Sequence, residues 1–165
     1  MGAQADVDEV ELARLRRLAV GVGYRMLGSV AEAEDVAQEA LLRLHDARGA
    51  GEDVRNPDAF LTTVATRLSL DVLRSARVRR EAYVGEWLPE PLVEDVGPQR
   101  VEDDETVSLA FLRMLERLTP EERAVLVLRE AFDCGYEEIG AVLDKRPDAC
   151  RQLLSRARRH VQDER

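Results

Sequence analysis

The segment from Thr119 to Val161 constrains this chain most, because its order of elements is typical of a helix-turn-helix. An apolar helical stretch is followed by a short helix (Tyr136–Leu143), a tight polar turn and a last helix, beginning at Pro147, that is crowded with arginine. In a helix-turn-helix the last helix lies in the major groove of DNA. The segment therefore makes DNA the leading candidate partner.

The charge of the chain is divided into blocks that its net charge of −9 conceals. Segments 66–80 and 145–160 carry net charges of +4 and +5, whereas segment 81–105 carries −8. Phosphate binding needs a local positive surface, and an acidic total argues only against indiscriminate binding. The pattern predicts two separate contacts with nucleic acid, joined by an acidic linker.

The spacing of apolar residues predicts an all-α fold with two small helical bundles joined by an extended linker. Apolar residues recur at three- and four-residue steps, and no alternating stretch is long enough to indicate a strand. Proline and glycine interrupt the region between the bundles, which lacks helical periodicity. The expected domains are a first bundle at 5–80, a linker at 81–105 and a second bundle at 106–162.

Capping signals set the expected helix boundaries. In the first bundle, helices are expected at about 7–27, 29–45 and 56–80, with Ser29 and Asn56 as N-caps. In the second bundle, Thr119-Pro120-Glu121-Glu122 matches a capping box and begins a helix. Gly135 is expected to end that helix, and helices at Tyr136–Leu143 and 147–161 follow.

The last helix presents polar side chains suited to DNA on adjoining stripes. Arginine can contact guanine through two hydrogen bonds, glutamine can do the same with adenine, and the remaining groups can hold phosphates. The alternative is an ordinary solvated helix, in which the helix dipole favours basic residues near the C-terminus. The polar residues on these stripes are Arg151, Gln152, Ser155, Arg156, Arg158 and Arg159.

Two other segments carry candidate contacts in the first bundle. Asp35, Gln38 and Glu39 lie within one turn of the second helix, where they could bind a basic helical partner. By residue chemistry alone, a solvated face supported by a Glu39–Arg43 pair is the simpler interpretation. On the third helix, basic residues could neutralise phosphates, and the loop Asp46–Asn56 before it could hold an extruded base. These basic residues are Arg67, Arg74, Arg77, Arg79 and Arg80.

No pattern in the sequence indicates catalysis, a cofactor or a metal site. His45 and His160 lie on different segments without paired acids or cysteines, and no glycine-rich phosphate loop or nucleophile motif is present. No apolar run approaches the ~20 residues that a membrane helix needs. Cys134 and Cys150 are expected to be reduced thiols, Cys150 packed, in a cytoplasmic protein that binds no small-molecule substrate and no membrane.

Three segments, in order, resemble bacterial extracytoplasmic-function sigma factors. Residues 24–29 (YRMLGS) leading into 33–40 (AEDVAQEA) look like the polymerase-binding helix of sigma domain two. Residues 56–61 (NPDAFL) through Arg80 are similar to the helix that engages the minus-ten element, and 118–158 to sigma domain four. The acidic linker, with its WLPEP motif at 87–91, resembles the SigJ-type subgroup. Members of that subgroup usually carry a C-terminal SnoaL-like domain; the sequence up to Arg165 does not include one, and we expect either a truncated chain or a naturally short member.

The resemblance implies a promoter-specificity subunit with core RNA polymerase and promoter DNA as partners. Domain two would dock on the beta-prime clamp helices and capture the melted minus-ten strand, and domain four would meet the beta flap and read the minus-35 duplex. The implied polymerase contacts are Asp35, Gln38 and Glu39, which reverses the simpler interpretation of that face. The implied minus-ten contacts are Asn56, Arg67, Arg74, Arg77 and Arg80. The implied minus-35 contacts are Lys145, Arg146, Arg151, Gln152, Ser155, Arg156 and Arg158, and the linker residues of interest are Tyr83, Trp87, Leu88 and Pro89.

Two other functions remain open at this point. A stand-alone helix-turn-helix regulator would bind as a dimer to two-fold symmetric half-sites about one helical turn apart. A sigma-like protein that occupies the polymerase without reading promoters would keep the Asp35–Glu39 face and lose DNA contacts. The acidic linker argues against the regulator, and the intact arginines of the last helix argue against the second alternative.

Overall fold

The computed structural model describes residues 2–82 and 114–163, with side chains for 8–79 and 114–163. The described residues fold into two helical bundles, and no strand is present among them. This confirms the predicted all-α class. No helix in these ranges is both long and apolar enough to cross a membrane. The predicted linker residues Tyr83, Trp87, Leu88 and Pro89 lie outside the described residues.

The first bundle consists of α1 (Gly2–Leu27), α2 (Val30–Gly49) and α3 (Pro57–Ala82). Its core contains side chains that are at most 5% exposed and come from all three helices: Leu15, Val22, Met26, Val36, Leu44 and Leu61. Gly28 adopts the left-handed conformation (φ 70°) that ends α1. Ser29 then caps α2 by accepting a hydrogen bond from the Glu32 amide at 3.3 Å.

The second bundle consists of α4 (Pro120–Glu130), α5 (Tyr136–Leu143) and α6 (Pro147–Gln162). Both halves of the predicted capping box at Thr119 are formed: the Glu122 amide donates to the Thr119 hydroxyl at 3.2 Å, and the Glu122 carboxylate accepts from the Thr119 amide at 3.3 Å. All three helices contribute to the hydrophobic core. Its fully buried side chains include Leu128 of α4, Ile139 of α5 and Leu154 of α6. The predicted bounds of α5 are confirmed.

Several helix boundaries differ from those predicted. Helix α1 begins at Gly2 rather than at about residue 7, and α3 continues to Ala82, two residues into the predicted linker. Helix α2 continues to Gly49, four residues beyond the expected end at about His45, because the alanine and arginine that follow are good helix formers. Helix α4 ends at Glu130, so Gly135 was wrongly assigned as its end. Asp133 makes the turn instead, with φ of 50°, and Gly135 is the N-cap of α5, where its amide donates to the Glu138 carboxylate at 2.7 Å.

The turn between α5 and α6 brings backbone against backbone. Asp144 occupies the left-handed conformation (φ 54°, ψ 49°), which aspartate tolerates better than most residues. The Lys145 amide then donates to the Gly140 carbonyl at 2.9 Å. A Cβ atom at Gly140 would lie 2.5 Å from the Lys145 carbonyl oxygen, so glycine is required at this position.

We expect Gly140→Ala to lower the free energy of unfolding by about 1–3 kcal/mol, since the added methyl group meets immovable backbone. The matched control is Gly49→Ala, which adds the same group where nothing lies within 4 Å. It is expected to leave stability unchanged or to raise it slightly. Chemical denaturation followed by circular dichroism measures both, and equal effects would show that the close approach at Gly140 is not a constraint.

A bidentate ion pair joins α1 to the first turn of α3. The Arg14 Nη1 and Nη2 atoms donate to the Asp58 Oδ2 and Oδ1 atoms at 2.8 and 3.0 Å. The hydrogen bond from Arg14 lowers the pKa of Asp58 below its ordinary value of 3.8. About half of each side chain is exposed, so solvent screens the pair and its contribution to stability is small.

The Asp58 pKa gives this pair a defined pH dependence. Because the folded-state pKa is lowered, its stabilisation is present above the unfolded-state value near 3.8 and is lost as the pH falls through the folded-state value. We expect Asp58→Asn to reduce the free energy of unfolding slightly at pH 7. Below about pH 4, the free energy of unfolding should fall less steeply with decreasing pH in the variant than in the unaltered chain. Urea denaturation from pH 7 to 2.5 measures this, and parallel pH profiles for the two proteins would contradict it.

Candidate nucleic-acid and protein interfaces

Helix α6 has one buried apolar face and one exposed polar face, as its residue pattern predicts. The inner face buries Cys150, Leu153, Leu154 and Ala157, all at most 8% exposed. The outer face exposes the residues that the sequence assigns to minus-35 DNA: Arg151, Gln152, Ser155, Arg156 and Arg158. The structure therefore leaves these side chains accessible to a groove, and their contact with DNA remains a prediction.

Arg151 is held in place by two neighbours that the sequence analysis missed. Its guanidinium lies 4.9 Å from the centre of the Tyr136 ring, and its Nη1 atom donates to the Asp148 Oδ1 atom at 2.5 Å. Arg129 lies over the same ring at 4.8 Å and donates to the Cys134 carbonyl. The i,i+3 spacing of Asp148 and Arg151 was available from sequence, whereas the placement of Tyr136 depends on the turn between helices.

The remaining basic residues near α6 differ in what they contact. Arg158 donates to the Glu130 carboxylate at the end of α4, and this hydrogen bond raises the pKa of Arg158. The Lys145 Nζ atom lies 3.6 Å from the Glu121 carboxylate, in the first turn of α4. Arg146 is exposed. Arg158 and Lys145 thus already have carboxylate partners, which DNA phosphates would have to replace.

On α2, Asp35, Gln38 and Glu39 are all exposed and form one continuous polar face. Glu39 accepts a hydrogen bond from Arg43 at 3.0 Å, as the i,i+4 spacing predicts. About half of each side chain in this pair is exposed, so the pair is weak and replaceable. Neither the second bundle nor α3 makes a described hydrogen bond or ion pair to this face.

Two basic residues of α3, Arg67 and Arg74, form hydrogen bonds to the second bundle that the sequence did not indicate. Arg67 donates from Nε to the Val142 carbonyl and from Nη2 to the Ala141 carbonyl, both at 2.9 Å, and these acceptors lie in the second bundle. Arg74 donates to the Glu121 carboxylate at 3.2 Å. Arg77 is exposed, and the side chain of Arg80 lies outside the described residues. The DNA contacts of these arginines remain predictions.

Asn56 has a structural task in addition to its predicted role at the minus-ten element. Its Oδ1 atom accepts a hydrogen bond from the Ala59 amide at 3.0 Å, which caps α3 as the sequence predicts. The residue is exposed, so its amide group also faces solvent beside the loop 46–56.

The two bundles touch directly through arginine side chains. Arg123 of α4 donates from Nη1 to the Met26 carbonyl near the end of α1 at 2.6 Å and from Nε to the Leu115 carbonyl at 2.9 Å. Its side chain is buried, with the residue 8% exposed. Arg25 of α1 lies over the Phe132 ring at 5.3 Å. These contacts join the two bundles directly.

His160 has an acidic partner, contrary to the sequence analysis. Its Nδ1 atom lies 3.0 Å from the Glu122 Oε2 atom, which is also the acceptor in the capping box of α4. The pair ties the end of α6 to the start of α4, and a separation of 38 residues hid it from pattern analysis. Within the described residues no group of three or more metal-ligating side chains occurs, and both cysteines are free thiols.

Family models match both bundles. The model described as Sigma-70 region 2 matches residues 12–79, and the model described as Sigma-70, region 4 matches residues 108–161. The first match begins within α1, includes α2 and ends within α3, and the second includes α4, α5 and all but the last residue of α6. The chain belongs to the extracytoplasmic-function sigma-factor family.

Individual relatives support this family and give its extent. The chain is 43% identical to the ECF RNA polymerase sigma factor SigJ of Mycobacterium tuberculosis over 92% of its own length and 49% of that protein. It is 40% identical to the probable sigma factor SigI of the same species, over 91% of this chain and 52% of that one. The chain thus spans about half the length of these curated relatives.

Solved structures show the same fold. The crystal structure of M. tuberculosis SigJ matches with a TM-score of 0.67 at 40% identity, over 94% of this chain and 52% of that chain. The sigma factor RpoE of Bartonella quintana, solved with the anti-sigma factor NepR, matches with a TM-score of 0.70 over 94% of both chains. Its identity is 19%, so this second likeness concerns the fold alone.

The contacts around Arg151 predict how its side chain moves. We expect Tyr136→Leu to increase the mobility of the Arg151 guanidinium, because a cation over an aromatic ring gains about 0.5–1 kcal/mol at an exposed site. Tyr136→Phe keeps the ring and is the matched control. The heteronuclear NOE of the Arg151 Nε–H group measures this mobility, and equal values in all three proteins would show that the ring does not hold the arginine.

Proposed function

We propose that this chain is a promoter-specificity subunit of bacterial RNA polymerase, which binds core polymerase and directs it to promoters. One observation carries the proposal: a single described fold exposes both the polar face of α2 and the arginine face of α6, in regions that match sigma-70 regions 2 and 4. A stand-alone regulator needs only the second face. The chain itself performs no catalysis in this proposal, and it works where the polymerase works, in the cytoplasm.

Each bundle has a separate part in the proposed mechanism. Asp35, Gln38 and Glu39 bind basic side chains of the polymerase clamp, because an exposed acidic face complements a basic partner and steers its approach. The outer face of α6 enters the major groove at the minus-35 element, where Arg151 and Gln152 are the residues suited to base edges. The basic face of α3 holds the backbone of the melted minus-ten strand.

The acidity of the chain fits this division of labour. A protein with a net charge of −9 has little general affinity for DNA, so the free chain is kept from non-specific sites. Once both bundles are fixed on the polymerase, each weak DNA contact is presented at high effective concentration. Specific binding then belongs to the complex.

Run-off transcription with purified core polymerase tests the proposal. Promoter-specific transcripts should form only when this chain and core polymerase are both present. A stable complex without transcripts would favour the polymerase-binding protein that does not read promoters. The absence of a complex, together with tight binding of the isolated chain to symmetric duplex sites, would favour the stand-alone regulator.

We expect the double charge reversal Asp35→Arg and Glu39→Arg to weaken binding to core polymerase at least tenfold, since it replaces attraction by repulsion at the proposed contact. The matched control reverses two exposed acids elsewhere, Asp8→Arg and Glu9→Arg, and changes the net charge equally. Fluorescence anisotropy with labelled chain measures both affinities. Equal losses in the two variants would remove α2 from the polymerase interface.

A further inference from the structure

We propose that Asp148 determines part of the minus-35 specificity of this chain, because it forms with Arg151 a paired reader of two neighbouring base pairs. Arg151 binds a guanine. The Asp148 carboxylate accepts a hydrogen bond from the neighbouring base pair where that pair presents an amino group, cytosine N4 or adenine N6, in the major groove. The inference rests on the proposed function and deepens it, since it names one residue and the class of base that this residue selects.

Asp148 lies where a recognition helix first meets the bases. It is the second residue of α6, and the N-terminal residues of such a helix contact base edges in the major groove. The side chain of Asp148 is 88% exposed and that of Arg151 is 56% exposed. Their i,i+3 spacing places both on one face of the helix. The carboxylate and the guanidinium therefore meet a groove together.

The hydrogen bond between the two side chains leaves both with groups that can bind bases. Arg151 Nη1 donates to Asp148 Oδ1 at 2.5 Å. Within residues 8–79 and 114–163, Arg151 Nε and Nη2 and Asp148 Oδ2 make no hydrogen bond. Nε and Nη2 form the guanidinium edge that can donate two parallel hydrogen bonds to guanine O6 and N7. A guanine reader and a second acceptor are thus held at a fixed spacing.

Tyr136 restricts the same guanidinium from another direction. The Arg151 Cζ atom lies 4.9 Å from the centre of the Tyr136 ring, and Arg129 lies over that ring at 4.8 Å. A side chain that is already held in place loses less conformational freedom when it binds. The Asp148–Arg151 pair therefore enters the groove with its geometry set in advance.

The Asp148 carboxylate discriminates between bases because, when ionised, it accepts hydrogen bonds and donates none. Cytosine N4 and adenine N6 donate in the major groove, whereas guanine O6 and N7 and thymine O4 are acceptors. An acceptor turned toward Asp148 Oδ2 is repelled and loses its hydrogen bond to water. The pair therefore favours a guanine beside a cytosine or an adenine and disfavours a guanine or a thymine at the second position.

The charge around Asp148 indicates that this residue lowers general affinity for DNA. It is the only acid in segment 145–160, whose net charge is +5. Phosphates repel a carboxylate that faces DNA. An acid in the first turn also stabilises a helix N-terminus, but that role does not require the hydrogen bond to Arg151. Selection between bases accounts for both the position of the carboxylate and its partner.

The test uses holoenzyme, assembled from core polymerase and the full chain, on a promoter library whose minus-35 region is randomised. Sequencing the run-off transcripts gives the base preference at each position. Asp148→Ala removes the carboxylate, and Asp148→Asn keeps an acceptor oxygen and adds a donor. The control Asp163→Ala removes the same charge from an exposed position at the C-terminal end of α6. Circular dichroism establishes that each variant is folded.

We expect the unaltered chain and Asp163→Ala to prefer guanine at one position and cytosine or adenine beside it, the latter by about tenfold over guanine or thymine. In Asp148→Ala that second preference should fall to about twofold or less, and transcription from disfavoured sequences should rise. The library also separates cytosine from adenine.

Asp148→Asn distinguishes base reading from the positioning of Arg151. The amide oxygen can still accept from Arg151 Nη1, so the preference for guanine should remain. The amide nitrogen can donate to guanine O6 or thymine O4, so the preference at the second position should be lost. A role in helix stability alone would instead lower transcription from every sequence and leave the base preferences unchanged.

Identical base preferences in Asp148→Ala and in the unaltered chain would overturn the inference and leave the proposed function standing. If the unaltered chain gives no transcripts, the proposed function fails. The same preferences are then read from randomised duplexes that the free, full chain retains at about 50 mM salt, where charges are screened less than at higher salt. A second-position preference that Asp148→Ala removes would support the inference, and a preference that is absent or unchanged would overturn it.

Discussion

The arrangement of the two bundles depends on buried and partly buried arginines that cap helices across the interface. Arg123 of the second bundle donates to the Met26 carbonyl at the end of α1, and Arg67 of the first bundle donates to the Ala141 and Val142 carbonyls at the end of α5. Each bundle therefore satisfies carbonyl groups that the other leaves without a helical partner. A buried guanidinium such as that of Arg123 is tolerated only with such partners, so the contact is specific in geometry.

This reciprocal capping links stability to function. The charged residues at the interface (Arg67, Arg74, Lys145 and Glu121) include residues proposed to hold DNA, whereas the α2 face proposed for polymerase is uninvolved. The exposed pairs among these contacts, Glu121 with Arg74 and with Lys145, exchange readily for contacts with water or phosphate, because each contributes little net free energy. An interface made from them can pack the free chain and still give way when a stronger partner binds.

Local features of the sequence predicted local structure well. The capping box at Thr119, the bounds of α5 and the exposed arginine face of α6 follow from residues within a few positions of one another, and the structure has all three. Resemblance to a family, carried by three ordered segments, added the pairing of polymerase and DNA faces that residue chemistry alone left open.

Long-range contacts were not predictable from those patterns. The His160–Glu122 pair spans 38 residues, and the Arg67–Val142 hydrogen bond spans 75. Arg67 was assigned to DNA because its charge is visible in sequence, whereas the carbonyl groups that bind it belong to the backbone and have no sequence signature. The end of α4 was also predicted wrongly. The turn after α4 is made by Asp133, which adopts a positive φ that glycine usually supplies, so the sequence pointed to Gly135 instead.

The most direct test of this account is the distance between the bundles, measured by electron paramagnetic resonance in the free chain and in the complex with core polymerase. Spin labels at Leu42 of α2 and Gln162 of α6, both exposed, report it in a background where Cys134 and Cys150 are replaced by serine and alanine. We expect one short, narrow distance distribution in the free chain and a longer one in the complex. A distribution unchanged by polymerase, or broad and long in the free chain, would contradict the account.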